Sequence, residues 1–109
     1  MLRHIVLVKS DHPEVEKVLN DLPSLIGQVP GLVEVTVAQD HGSMNRGYDR
    51  LFILDFDGPD SLAGWDVHPV HTPIRDTLLA LAELIVFDIE AGGDLRQSTP
   101  GATHGATEV

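Results

Sequence analysis

Histidine is the side chain best suited to moving a proton near neutral pH, with an unperturbed pKa of about 6.5. The chain has six histidines and no cysteine, so thiolate nucleophiles and thiolate metal sites are excluded at once. His71 ends the stretch His68-Pro69-Val70-His71, where the proline disfavours helical geometry at the residue before it. That turn can aim the His71 imidazole between helices and sheet as a general base; equally, His68 and His71 can serve only to satisfy backbone groups at a helix break. His4 lies in an apolar run, either as a hydrogen-bonded core residue or as a second polar group orienting an enolisable carbonyl. Arg50 is either a surface charge near a strand start or a planar fork for a carboxylate or enolate. Trp65 follows Leu62 at helical spacing and reads as core or pocket wall, and Tyr48 as an edge-strand residue. Three imidazoles, His4, His68 and His71, could in principle hold zinc, but neither cysteine nor His-x-x-x-His spacing supports it, and no metal or cofactor is expected. A Gly-rich phosphate loop and a Gly-x-Ser-x-Gly element are both missing.

These side chains need elements to hold them. Residues 2–8 are β-branched and nearly continuous, the pattern of a strand apolar on both faces. Asp11, His12 and Pro13 read as a capped helix start, followed by a stripe from Val15 to Val29 that Pro23 should kink or split. Residues 32–38 alternate Val33, Val35 and Val37 against Glu34 and Thr36, predicting a second strand. A loop over 39–47, a strand over 48–56 and a short helix after Asp57-Gly58-Pro59 come next. Thr72 as cap and Pro73 in the first turn reopen a helix with Ile74, Leu78 and Leu81 buried, and residues 84–89 form the last strand. The expected domain covers 1–90, and 91–109 reads as a flexible tail.

The order β-α-β-β-α-β is that of an α+β, ferredoxin-like sandwich, a four-stranded antiparallel sheet with helices on one face. The first strand then puts His4, Val6 and Val8 on one side and Ile5 and Leu7 on the other; the third opposes Phe52 and Leu54 to Leu51 and Ile53. One face packs on helices, and the other is expected to meet a second copy in a homodimer. Seventeen acidic and seven basic residues give a formal charge of -10, which repels nucleic acid and anionic membranes. No run is long enough to span a bilayer, and a cytoplasmic setting is expected.

The opening Leu-Arg-His-Ile-Val-Leu-Val, Val29-Pro30-Gly31, Arg46-Gly47-Tyr48, His68-Pro69-Val70-His71 and Val86-Phe87-Asp88 occur in an order that resembles the stress-responsive dimeric α/β-barrel family over residues 1–90. The resemblance implies a ferredoxin-like protomer whose sheet faces that of a second copy to close a barrel. Through a plant polyketide cyclase of the family it implies metal-free, cofactor-free aldol ring closure, with His71 as base and His4 lining the pocket. Trp65 stands where that enzyme has an assisting tyrosine, and an indole cannot relay a proton. Arg50 replaces another pocket histidine. The expected ligand is a small apolar or aromatic carbonyl compound in a pocket walled by Val6, Val8, Val35, Phe52, Trp65, Ile74 and Leu84, with His68 nearby. A non-catalytic, ligand-binding or stress-associated dimer and a cofactor-free monooxygenase are the alternatives.

Overall fold

A computed structural model of the chain describes residues 1–90. The tail expected over 91–109, with His104, lies outside the described residues. In chain order the elements are β1 (Leu2–Lys9), α1 (Pro13–Asp21), a 3-10 turn (Leu22–Leu25), β2 (Leu32–Gln39), β3 (Arg50–Phe56), α2 (Pro59–Asp66), α3 (His71–Leu81) and β4 (Glu83–Glu90). The strands form one antiparallel sheet in the order β2-β3-β1-β4, the ferredoxin-like arrangement expected from the sequence. Among the described residues no helix is long and apolar enough to cross a membrane.

Local chemistry explains the helix boundaries. The His12 side chain accepts a hydrogen bond from the Glu14 N–H at 3.1 Å, and Pro13 occupies the first turn, where its missing N–H costs nothing. Pro23 ends α1 as expected, and the chain continues as the 3-10 turn that buries Leu22 and Leu25. The start of α3 differs from expectation. It begins at His71, with Val70 at the cap position and no side-chain cap bond, so Thr72 is already helical and exposed. The His71 N–H instead donates to the His68 carbonyl at 3.0 Å, which closes the turn without help from threonine.

Strand register sorts the sheet into two faces. Toward the helices, Val6 pairs with Phe52 and Val86, and His4 pairs with Leu54 and Asp88. Val6, Val8, Phe52, Leu54 and Phe56 join Val15, Leu19, Leu22, Trp65 and Leu78 in a single buried core. The opposite face carries one row of Ile85, Leu7, Leu51 and Ala38, and a second of Phe87, Ile5, Ile53 and Thr36. A third row on that face holds Ile89, Arg3, Asp55 and Glu34. Ile5, Leu7, Leu51 and Ile53 are half-buried there, outside the helix-covered core. The alternation expected in β2 fails at one point. A bulge between Leu32 and Glu34 leaves Val33 half-exposed and keeps both Leu32 and Val35 on the core side.

Gly31 immediately precedes β2 with φ +78°, and its carbonyl accepts from the Asp57 N–H at 2.9 Å. A Cβ at Gly31 would lie 2.0 Å from Ser61 Oγ, so here the chain passes too close to α2 for any side chain. Gly64, in contrast, lies within α2 and faces open space. Thermal unfolding of two variants should therefore move in opposite directions. Gly31→Ala is expected to lose about 1–3 kcal/mol through backbone strain, and Gly64→Ala to gain about 0.4–1 kcal/mol by restricting the unfolded chain.

Candidate functional site

The helix-facing side of the sheet holds an arrangement that composition and spacing did not reveal. His4 and Asp88 sit directly opposite each other on β1 and β4, and His4 Nδ1 lies 2.5 Å from Asp88 Oδ1. The imidazole is 15% exposed and the carboxylate 45% exposed, so the pair is sheltered on the histidine side only. A carboxylate accepts but does not donate when ionised, which assigns the proton to His4 Nδ1 and leaves Nε2 as the basic lone pair. The Phe52 ring stands edge-on to the imidazole at 6.5 Å between centroids. β4 is a sheet edge, and its helix-facing Val86 remains 36% exposed, so the layer above the dyad is open to solvent.

His71 holds its proton in a similar way with a weaker partner. Its Nδ1 lies 3.3 Å from the Asp66 carbonyl, which can only accept, so Nε2 is again the free basic atom. The ring packs on Trp65 at 4.3 Å with a 36° tilt, and Trp65 itself is buried in the core. The indole thus fixes the histidine plane. His68 does the structural work allowed for it, because its Nδ1 accepts from the Val70 N–H at 3.1 Å. No hydrogen bond among the described residues joins His4 to His71.

Other candidates are placed elsewhere. Arg50 lies on the helix-facing side as expected, but it pairs with Val8, four residues from His4, roughly 13 Å at the rise of a strand. Its Nη1 is ion-paired with Glu16 of α1, while its buried Nε makes no hydrogen bond among the described residues. Val6, Val8, Phe52 and Trp65 are fully buried, while Val35, Ile74 and Leu84 pack against them, so the expected pocket wall is a closed core. Two cavities of about 600 and 610 Å3 are formed by other residues, one beside Lys9, Asp49 and Glu83 and one on the opposite face of the sheet; neither touches His4 or His71. Among the described residues no three His, Asp or Glu side chains converge to hold a metal ion, so His4, His68 and His71 do not form a common centre.

Asp88, as the partner of His4, and Glu16, as the partner of Arg50, are the residues the sequence left unnoticed. The segment Val86-Phe87-Asp88 did stand out, but only the register of β4 against β1 turns Asp88 toward His4. A further ion pair lies on the far face. Arg3 grips the buried Asp55 with Nε at 2.8 Å from Oδ1 and Nη2 at 3.3 Å from Oδ2, and this hydrogen bonding, helped by the charge of Asp55, raises the Arg3 pKa.

Comparison with known proteins agrees with this architecture. The model of the stress responsive A/B barrel domain matches residues 2–91. A stress-response A/B barrel domain-containing protein of Arabidopsis thaliana is 24% identical over 89 residues, covering 78% of this chain and 80% of its own. A dimeric ferredoxin-like protein of unknown function from Jannaschia sp. CCS1 superposes with a TM-score of 0.71 at 22% identity, over 83% of this chain and 98% of that one. SnoaB, a cofactor-independent oxygenase from Streptomyces nogalater, gives a TM-score of 0.70 at 17% identity, over 86% of this chain and 95% of its own.

Proton placement on the two histidines can be read directly by long-range 15N–1H NMR. Both rings are expected to carry their proton on Nδ1, and Asp88→Ala is expected to shift His4 alone toward the Nε2–H form. An Nε2–H signature for His4 in the unaltered protein contradicts the dyad.

Proposed function

Because the chain belongs to the stress-responsive A/B barrel domain family, we propose that it is a homodimer, closed through the helix-free sheet face, whose protomers each carry a cofactor-independent acid/base site for a small enolisable carbonyl compound. The observation that carries the catalytic part is the 2.5 Å contact between His4 Nδ1 and Asp88 Oδ1. A carboxylate behind an imidazole holds the ring in one orientation and stabilises the imidazolium formed when Nε2 takes a proton. His4 is therefore the base in this reading, ahead of His71.

His71 contributes a second Nε2 lone pair, held by the Asp66 carbonyl and the Trp65 ring, and is suited to return a proton to the enolate oxygen once charged. Trp65 does not relay protons and acts as the platform on which His71 rests. Arg50 is set aside as a ligand for a substrate at the dyad, since it pairs with Val8, four residues along β1 from His4. An apolar aromatic or polyketide-like carbonyl fits the surroundings better than an acid, because Phe52 and the exposed Val86 border the dyad.

The dimer rests on the apolar rows of Ile85, Leu7, Leu51, Phe87, Ile5 and Ile53, a patch of a kind that soluble monomers seldom leave uncovered. The dimeric ferredoxin-like protein from Jannaschia sp. CCS1 supports a dimer, without specifying the face. A second reading, a dimer without catalysis, is favoured by one observation: the residues expected to wall a pocket are packed shut.

Proton exchange separates the two. In deuterated buffer with an aryl 1,3-diketone, NMR should record faster loss of the α-proton signal with the protein than without it. His4→Gln is expected to slow that exchange by about 10²- to 10⁴-fold, the usual contribution of a positioned base. Asp88→Asn should slow it by a smaller factor with the fold intact by circular dichroism. If all variants match buffer alone, the non-catalytic dimer stands.

A further inference from the structure

Charge marks both ends of the helix-free face. One end row holds Ile89, Arg3, Asp55 and Glu34, on β4, β1, β3 and β2 in turn. Arg3 binds Asp55 of its own chain through Nε and Nη2, and among the described residues its Nη1 makes no hydrogen bond. At the other end Lys9 pairs with Glu83, with Nζ 3.6 Å from the carboxylate. The sheet continues one step past Arg50, where the Asp49 carbonyl accepts from the Asp40 N–H at 2.8 Å. Since Val8 pairs with Arg50, that step sets Asp49 beside Lys9, and alternation turns it to the side of Leu51. On this face β1 is thus basic at both ends, with Arg3 and Lys9, and β3 is acidic at both ends, with Asp55 and Asp49.

Two aligned sheets related by a two-fold axis meet face to face in one of two ways. With the axis across the strands, each strand lies over its own copy and the end rows exchange places. Lys9 then meets Arg3 of the second copy, and Asp49 meets its Asp55. With the axis along the strands, between β1 and β3 at the centre of the sheet, the rows keep their places and β1 lies over the second copy's β3. Lys9 then meets Asp49 of the second copy, and Arg3 meets its Asp55 with Glu34 alongside. The apolar rows do not choose between the two, because Ile5 and Leu7 face isoleucine or leucine in both. The charges do. The first arrangement sets only like charges of the central strands against one another, and the second only opposite ones.

We infer that Lys9, Asp49 and Arg3 are the residues by which the chain selects the orientation of a second copy: β1 docks over the second copy's β3, Lys9 pairs with its Asp49, and Arg3 turns the free Nη1 toward its Asp55 and Glu34. The inference rests on the helix-free dimer proposed above and adds its orientation and the contacts that set it. Juxtaposed like charges penalise the wrong arrangement strongly, while opposite charges at the margin of an apolar interface steer the right one. The apolar rows supply the burial, and the end rows supply the choice. The His4–Asp88 dyad, on the other side of the sheet, takes no part.

Isotope-filtered NMR on dimers of one labelled and one unlabelled copy reads the orientation in the unaltered protein. Cross-peaks between copies are expected to join Leu7 to Leu51 and Ile5 to Ile53; cross-peaks joining Leu7 to Ile5 and Leu51 to Ile53 overturn the pairing. Sedimentation at low ionic strength tests the charges. Lys9→Glu and Asp49→Lys should each weaken the dimer by at least about tenfold. An equimolar mixture of the two variants should regain it as mixed pairs, because each reversed charge then faces its opposite. High salt should narrow all of these differences. A variant that dimerises as tightly as the unaltered protein or more tightly, or a mixture no tighter than either variant alone, overturns the inference and leaves the dimer itself in place. A single-chain mass for the unaltered protein removes the dimer reading, and the inference with it.

Discussion

The register of β1 against its two neighbours is the constraint from which the rest of the molecule follows. β1 is flanked by β3 and β4, so each of its residues is fixed against one partner on either side. Because side chains alternate along a strand, a slip of one residue would turn every side chain to the other face. In the observed register Val6 and Val8 enter the core, Ile5 and Leu7 face away from the helices, and His4 meets Asp88. The two-residue site and the two-faced sheet are thus the same fact seen at different positions on one strand.

The same register puts a charged pair into an otherwise apolar surface. Asp55 is only 4% exposed although it lies on the helix-free face, and it tolerates that burial because Arg3 binds both of its oxygens. The pair occupies one end row, with Glu34 and Ile89 beside it, and leaves the middle rows apolar. Charge is thereby confined to the margin of the surface proposed for self-association, which suits a face that must exclude water at its centre.

Much of this was legible in the residues. The alternation in β1 and β3 separated the two faces correctly, Pro23 marked the end of α1, and the element order led to the ferredoxin-like sheet. What local patterns could not supply was long-range pairing. Asp88 became a partner of His4 only through the alignment of strands 84 positions apart, and Glu16 claimed Arg50 from a helix that sequence spacing treats as unrelated. The state of the expected pocket wall lay beyond local patterns for a related reason: Val8, Phe52 and Trp65 are apolar whether they line a void or fill it, and only packing distinguishes the two. At Val33 and Thr72 the local rules of strand alternation and capping gave way to a bulge and to a backbone-closed turn.

The central claim, that one sheet face serves the helices and the other a second copy, is tested most directly by sedimentation equilibrium across micromolar concentrations. The account requires twice the chain mass for the unaltered protein and the mass of a single, folded chain for Ile53→Lys, which places a charge in a middle row of the helix-free face. A single-chain mass for the unaltered protein, or a dimer indifferent to lysine at Ile53, contradicts it.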